Sequence, residues 1–377
     1  MVEGGMALSR VVVSGYYGFG NAGDELILGV LCRALAGHQV TVLSADPEAT
    51  AREQAVDAVH RMESRAILGA LARADLLISG GGGLLQDASG PWTVPYYLGV
   101  VAVARAMGRR VMVYAQGIGP LRAPWARAGL HLLRGAAAVT VRDAESREML
   151  QRAGVRGVRL TADAALCLEA PTREGGLPPE LAALGVDAGR PILAVAPRPY
   201  GAAAFSAGLA AAVDAVAAST GAQVVLVAMQ RREDSVACRA LAGLLASGAV
   251  MLPGEVSPTR YPEVFTAFDA VVGMRLHALI LAALARIPAV GLSYDPKIRA
   301  FAQGLHPDIA DLPLDSPPDA ISAAVVERMA TADARRPVLD HAVSDLQALA
   351  AQNNAILGGL LASLPEGRGQ LPRSDRA

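Results

Sequence analysis

Residues 269–297 read DAVVGMRLHALILAALARIPAVGLSYDPK. Asp269 to Gly273 is short, apolar and ends on glycine, the pattern of a buried strand. Leu276 to Arg286 is an apolar run of helical length, and Ala289 to Ser293 is a second buried strand. Asp295 before Pro296 has the form of an N-cap followed by proline at the first helical position. A strand–helix–strand succession makes its two strands parallel. In an open α/β sheet the carboxyl ends of such strands share one edge, where ligands bind. Arg275 and His277 leave the first strand at that edge and Lys297 leaves the second. A guanidinium, an imidazole and an ammonium are therefore expected in one crevice.

Lys297 stands out by count as well. Lysine and arginine together number 34, and Lys297 is the sole lysine among them. A position that stays lysine against so strong an arginine bias points to a need arginine cannot meet. A lysine ammonium is compact and can exchange a proton, whereas a guanidinium stays charged.

At 377 residues the chain is long for a single core, and two domains are expected. The net charge of −1 offers no global surface for nucleic acid or for an anionic membrane. The apolar fraction is 53% while aromatics are only 4%, so alanine and the aliphatics build the core. Cys32, Cys167 and Cys238 are scattered, with no CxxC pair. That fits a reducing compartment and predicts neither a disulfide framework nor a metal site. The apolar runs at 98–107, 202–218 and 276–292 are each broken by charge or proline, so no membrane span is expected. Residues 1–9 lack the form of a secretory signal, and a cytoplasmic location follows as the expectation.

The first half opens with a strand at Arg10 to Ser14, the loop GYYGFGNAGDE from Gly15 to Glu25, and a helix to about Ala36. Backbone amides and a helix N-terminus at such a junction face a ligand. The loop holds no GxxxxGK[ST], which excludes the P-loop fingerprint. Asn21 and Asp24 are the polar groups expected to face the crevice, Asp24 alternatively capping the helix. Further strands are predicted at 39–44, 57–61, 75–79, 110–115, 138–142 and 158–160. The strand at 75–79 runs into Gly80 to Gly83, with Gln86 and Asp87 just beyond, and that at 110–115 into QGIGP with Gln116. Four glycines allow very close backbone approach to a ligand or to a neighbouring element.

The proline- and glycine-rich stretch 170–190 separates two α/β runs, giving domains at 1–169 and 191–331 joined by that linker. In the second, a strand at Pro191 to Ala196 ends on Arg198, at the same kind of strand end as Arg275; it is an anion clamp or a surface loop arginine. A helix is expected at 317–329, a long terminal one at 332–364, and a disordered tail at 365–377.

Taken together, SGYYGFGNAGDE, ISGGGGLLQD, YAQGIGP, Arg198-Pro199, GMRLHALI and SYDPK, in this order over roughly residues 10–330, resemble the polysaccharide pyruvyl transferase family, closest to its cell-wall branch of CsaB type. The resemblance implies a GT-B-like fold, two Rossmann-type α/β domains facing across a cleft, with the C-terminal helix crossing back onto the first. It implies transfer of pyruvate from phosphoenolpyruvate to two hydroxyls of a sugar as a cyclic ketal. In the cell-wall branch the acceptor is an N-acetylmannosamine of a lipid-linked disaccharide, and the product is a 4,6-ketal that anchors surface-layer proteins. Phosphoenolpyruvate enters as co-substrate, with no cofactor and no metal.

On that footing Arg198 and Arg275, with the helix N-terminus at Leu276, are expected to hold the donor's carboxylate and phosphate. His277 is the expected general acid or base, and Lys297 stabilises the departing phosphate or shares the proton work. Asn21, Asp24 and Gln116 are expected to face the acceptor from the first domain. A lipid-linked acceptor implies peripheral association with the inner face of the membrane, although no segment declares a membrane patch. Two rivals fit the same architecture: a GT-B nucleotide-sugar glycosyltransferase and a non-catalytic glycan-binding protein.

Overall fold

The computed structural model describes residues 8–88, 90–169, 176–199, 203–293, 296–305 and 309–364. The chain divides into two compact units. One comprises residues up to Phe19, Ile27–Ala164 and the stretch from Leu349 onward. The other comprises Gly20–Leu26 and Ala165–Ala348.

The first unit follows a strand–helix alternation, with β1 (Arg10–Tyr17), α1 (Ala22–Ala34), β2 (Gln39–Ser44), α2 (Pro47–Gln54), β3 (Asp57–His60), α3 (Ser64–Arg73) and β4 (Leu76–Ser79). It continues with β5 (Gly82–Leu85), α4 (Thr93–Ala106), β6 (Arg110–Ile118), α5 (Pro124–Gly129), β7 (Ala138–Val141), α6 (Ala144–Arg152) and β8 (Val158–Leu160). The sheet order is β3-β2-β1-β4-β6-β7-β8, every pairing is parallel, and β5 adds to β6. The order reverses between β1 and β4, the arrangement that opens a crevice at the carboxyl ends of those strands. One face packs Val12, Leu77, Val111 and Val113 against Leu98 and Val101 of α4. The glycine run serves a neighbouring element: a Cβ at Gly80 would lie 2.1 Å from the Tyr17 hydroxyl, and one at Gly81 would lie 2.8 Å from Ile27. Gly82 and Gly83 are themselves part of β5, a strand not predicted from the sequence.

The second unit repeats the scheme with α7 (Pro179–Ala182), β9 (Ile192–Ala196), α8 (Ala203–Thr220), β10 (Gln223–Leu226), α9 (Glu233–Ala242), β11 (Val250–Met251) and α10 (Tyr261–Phe265). Then come β12 (Ala270–Gly273), α11 (Leu276–Leu284), β13 (Ala289–Ser293), α12 (Pro296–Gly304), β14 (Ile309–Pro313) and α13 (Pro318–Ala362). The all-parallel order β11-β10-β9-β12-β13-β14 is the same doubly wound pattern. β12, α11 and β13 are the unit expected at 269–293, and α12 begins at Pro296; Asp295 lies outside the described residues. Gly20–Leu26 also belongs here, because its backbone pairs with the loop after β10. Ala22 N donates to Met229 O at 2.8 Å, and Arg231 N to Gly20 O at 2.9 Å.

The division falls at Ala164, a few residues before the expected linker, of which residues 170–175 lie outside the described set. The tail from residue 365 lies outside it as well. The two helices expected at 317–329 and 332–364 are one, α13, with Pro337 inside it. Pro337 removes one backbone hydrogen bond. A buried stripe at Leu339, Val343, Ala350, Leu357 and Leu361 keeps the helical period beyond it. The end of α13 joins the first unit: Tyr114 Oη donates to Asn354 Oδ1 at 2.6 Å, and Arg110 Nη1 to Ser363 Oγ at 2.9 Å.

Asn353 is fully buried there, accepting from Thr161 Oγ1 at 2.8 Å and donating to Ala162 O at 3.0 Å. Replacing it with alanine strands the Ala162 carbonyl away from water and leaves the Thr161 hydroxyl with Val141 O alone, at 3.1 Å. Asn353→Ala is expected to cost about 2–3 kcal/mol, read as a lower urea midpoint. An unchanged midpoint would show that the helix end is not held by this amide.

Candidate functional site

In the second unit the carboxyl ends of β10, β9, β12 and β13 lie side by side along one edge. Asp234 follows β10, Arg198 follows β9, Arg275 to His277 follow β12, and Lys297 follows β13 as the second residue of α12. The register holds these ends level, with Ala196 opposite Gly273 and Gly273 opposite Gly291. Thus Arg198, Arg275, Leu276, His277 and Lys297, expected to share an edge, leave three adjacent strands of one unit.

Arg275 is the N-cap residue of α11, in extended backbone conformation and without a capping side chain. Its guanidinium meets the carboxylate of Asp234 two-fold, Nε at 3.0 Å and Nη2 at 2.6 Å, with Glu233 3.6 Å away. Asp234 is fully buried and also accepts from Gln230 N at 2.8 Å. Burial pushes its carboxyl up, and Arg275 foremost, then the Gln230 amide and Arg198, pull against that. Arg198 therefore lies in the field of the same carboxylate, and the fork-to-fork pair fixes the plane of the Arg275 guanidinium. Asp234 is a site residue that sequence reasoning missed. The available signal was QRRED, ending in an acid shortly after a strand whose neighbours end on arginines.

His277 lies in the first turn of α11 and is half-buried, with its Nε2 buried. Its ring rests on Gly23: a Cβ there would come within 1.8 Å of Nδ1 and 2.2 Å of Cγ. No side chain fits between them. Asn21 sets this floor. Its Oδ1 accepts from Gly23 N at 3.1 Å and Asp24 N at 3.4 Å, so Asn21, rather than Asp24, caps α1. Asp24 and Glu25 are buried in the first turn of α1. Asn21 and Asp24 were expected on the first domain; both lie in the second unit, drawn there by the pairing of residues 20–22 with 229–231.

Gln116 is in the first unit, at the end of β6, and is fully buried. Neither Oε1 nor Nε2 has a hydrogen-bond partner, and the Ser14 hydroxyl near the end of β1 is in the same condition. At the same carboxyl edge, Arg61 is ringed by aromatic faces, its Cζ 4.0 Å from the Tyr96 centroid and 5.0 Å from that of Phe19. Phe19 in turn stacks on Tyr16 at 4.2 Å.

Burial pushes Cys32 up to about 11 and Cys238 up to about 12, so neither thiol is a nucleophile at neutral pH. Among the described residues no group of three His, Cys, Asp or Glu side chains is placed to hold a metal ion.

Residues 21–296 match the family described as Polysaccharide pyruvyl transferase. No curated protein is similar in sequence. The solved structures similar in fold include the following three. The UDP complex of S. aureus MnaA has a TM-score of 0.65 at 10% identity, covering 93% of this chain and 96% of that one. A glycosyltransferase from Rickettsia africae has a TM-score of 0.64 at 10% identity, covering 95% and 100%. The UDP-GlcNAc 2-epimerase of Neisseria meningitidis bound to UDP-GlcNAc has a TM-score of 0.60 at 12% identity, covering 93% and 99%. These likenesses place the chain among proteins built of two Rossmann-like domains, as expected for a GT-B-like fold.

Two variants test the geometry. Asp234→Ala leaves a largely buried guanidinium without its carboxylate and is expected to cost about 3–5 kcal/mol, measured by urea denaturation. A loss under about 1 kcal/mol would mean the pair is not held as described. Gly23→Ala is expected to fold and to show the His277 ring in another rotamer in a crystal structure. An unmoved ring would contradict the packing.

Proposed function

The chain belongs to the polysaccharide pyruvyl transferase family, and from that premise we propose that it moves pyruvate from phosphoenolpyruvate to two hydroxyls of a glycan as a cyclic ketal. The observation that carries the reading is the setting of His277. An imidazole seated on a bare glycine backbone opens α11 beside an arginine whose plane a buried aspartate fixes.

In the proposed reaction the C3 methylene of phosphoenolpyruvate gains a proton and becomes the methyl group. Two C–O bonds form from the sugar oxygens to C2, and the bond from C2 to the phosphate oxygen breaks. Of the two hydroxyl protons, one is balanced by the proton gained at C3 and the other leaves with phosphate. Arg198, Arg275 and the amides at Leu276 hold the donor's two anionic groups. His277 moves the proton, a role worth about 10²–10⁴-fold. Lys297 neutralises the departing phosphate. Phosphoenolpyruvate is the only co-substrate this scheme needs.

For the acceptor we propose Asn21 and Asp24 beside His277, and Gln116 in the first unit. The unsatisfied amide of Gln116 suits a ligand rich in hydroxyls, and the Tyr16–Phe19 and Tyr96 faces suit the apolar face of a sugar ring. The acceptor proposed is an N-acetylmannosamine of a lipid-linked disaccharide, converted to its 4,6-ketal for cell-wall polymer that anchors surface-layer proteins, with the enzyme on the cytoplasmic face of the membrane.

The test supplies purified protein with phosphoenolpyruvate and a panel of lipid-linked and synthetic disaccharides. Phosphate release matched by a pyruvate-sized mass gain on one acceptor is expected, with His277→Ala slower by about 10²–10⁴-fold. Sugar transfer from a nucleotide sugar, with no phosphate from phosphoenolpyruvate, would replace this reading with a glycosyltransferase. Glycan binding with neither reaction would leave a binding protein.

A further inference from the structure

Between Asp87 and Asp143 the sequence has no aspartate or glutamate, yet it holds seven arginines and both tryptophans of the chain. In a protein of net charge −1 this 88–142 stretch alone carries seven positive charges. It folds into α4, β6, α5 and β7 of the first unit, with a single 3-10 turn at Leu130–Leu133 after α5. One of the seven, Arg142, is offset, standing 4.0 Å from Asp143 and 2.5 Å from Asp163. Asp87 Oδ2 is taken by the amides of Arg122 and Ala123 at 2.7 and 2.8 Å, and Asp143 caps α6 through Ser146 N at 2.7 Å.

α4, α5 and the 3-10 turn pack side by side. Arg105, at the end of α4, donates to Leu132 O at 2.6 Å, and a Cβ on Gly129 would touch Leu98 of α4 at 2.8 Å. The outward surface of these elements carries large apolar side chains together with arginines. Trp92, the N-cap residue of α4, is 79% exposed, and Pro95, Gly99 and Ala106 of the helix are exposed as well. Beside these stand Trp125, 49% exposed, and Leu132, 42% exposed. Exposed Arg105, Arg122, Arg127 and Arg134 surround them. Large apolar side chains that accept 79% and 49% exposure, rimmed by charge of one sign, mark an interaction surface.

We infer that this face docks on an anionic lipid bilayer. Tryptophan has an apolar body and one polar N–H, which suits the headgroup boundary, and the arginine rim complements anionic headgroups. No helix among the described residues is long and apolar enough to cross a membrane, so the face lies on the bilayer rather than through it. The inference rests on charge and exposure in the first unit; it deepens the membrane location proposed above and is independent of the donor chemistry proposed for the second unit. It supplies the patch that no segment of the sequence declared.

The experiment is sedimentation of the full chain with vesicles of phosphatidylglycerol and phosphatidylcholine, against phosphatidylcholine alone. Because both tryptophans lie on the face, their emission reports docking with no background from elsewhere. Binding to the anionic vesicles only, a blue shift on binding, and release by added salt are expected. Each surface arginine contributes about fivefold in binding. The Arg122→Glu, Arg127→Glu double variant should therefore bind at least about twentyfold more weakly, while Arg239→Glu, in the second unit, binds as wild type. Trp92→Ala, Trp125→Ala should lose binding while keeping the melting temperature. No binding to anionic vesicles, or equal binding to both vesicle types, would overturn the inference. So would a dimer in light scattering that the double tryptophan variant splits, since a second copy would then be the occupant.

Discussion

An imidazole ring lies on a stretch of backbone that has no side chain to give, and much of the second unit follows from that. The ring keeps this place only while residue 23 is glycine, because a single methyl would stand within 1.8 Å of it. For Gly23 to reach His277, residues 20–26 have to belong to the unit of His277 rather than to that of the strand they follow. Two backbone hydrogen bonds to the loop after β10 and the Asn21 cap secure them there. The histidine is thus positioned by a segment about 250 residues away in sequence, which couples the start of α1 to the start of α11.

The charges of the edge are arranged with similar economy. A fully buried aspartate costs free energy unless it is paired and hydrogen-bonded. Asp234 meets that cost through Arg275, the amide of Gln230 and the field of Arg198. The carboxylate orients the guanidinium, and the guanidinium pulls against the upward push of burial on the carboxyl. An anion bound at the edge, as proposed, would meet Arg275 already oriented, so little of its binding free energy would be lost to ordering that side chain.

The parts of this structure legible in the sequence are those set by short-range pattern. The period of the apolar residues places β12, α11 and β13, the alternation of strands and helices gives two doubly wound units, and Arg198, Arg275, His277 and Lys297 leave adjacent strand ends as that pattern requires. What was not legible depends on contacts distant in sequence. Nothing local says that Asn21 and Asp24 join the second unit, since that choice is made by Met229 and Arg231. Asp234 reads as an ordinary first-turn acid until Arg275 is beside it. β5 is hidden because two of its four residues are glycine, and α13 passes its proline because a buried stripe continues beyond it. The exposed face of α4 and α5 was equally out of reach, because exposure is a property of packing.

The central claim is that phosphoenolpyruvate occupies the carboxyl edge of the second sheet. Hydrogen–deuterium exchange of the full chain with and without phosphoenolpyruvate tests it most directly. Slower exchange is predicted in peptides covering residues 196–199 and 274–280, with no such effect from UDP. Protection of those peptides by UDP alone, or protection by phosphoenolpyruvate confined to the first unit, would contradict the claim.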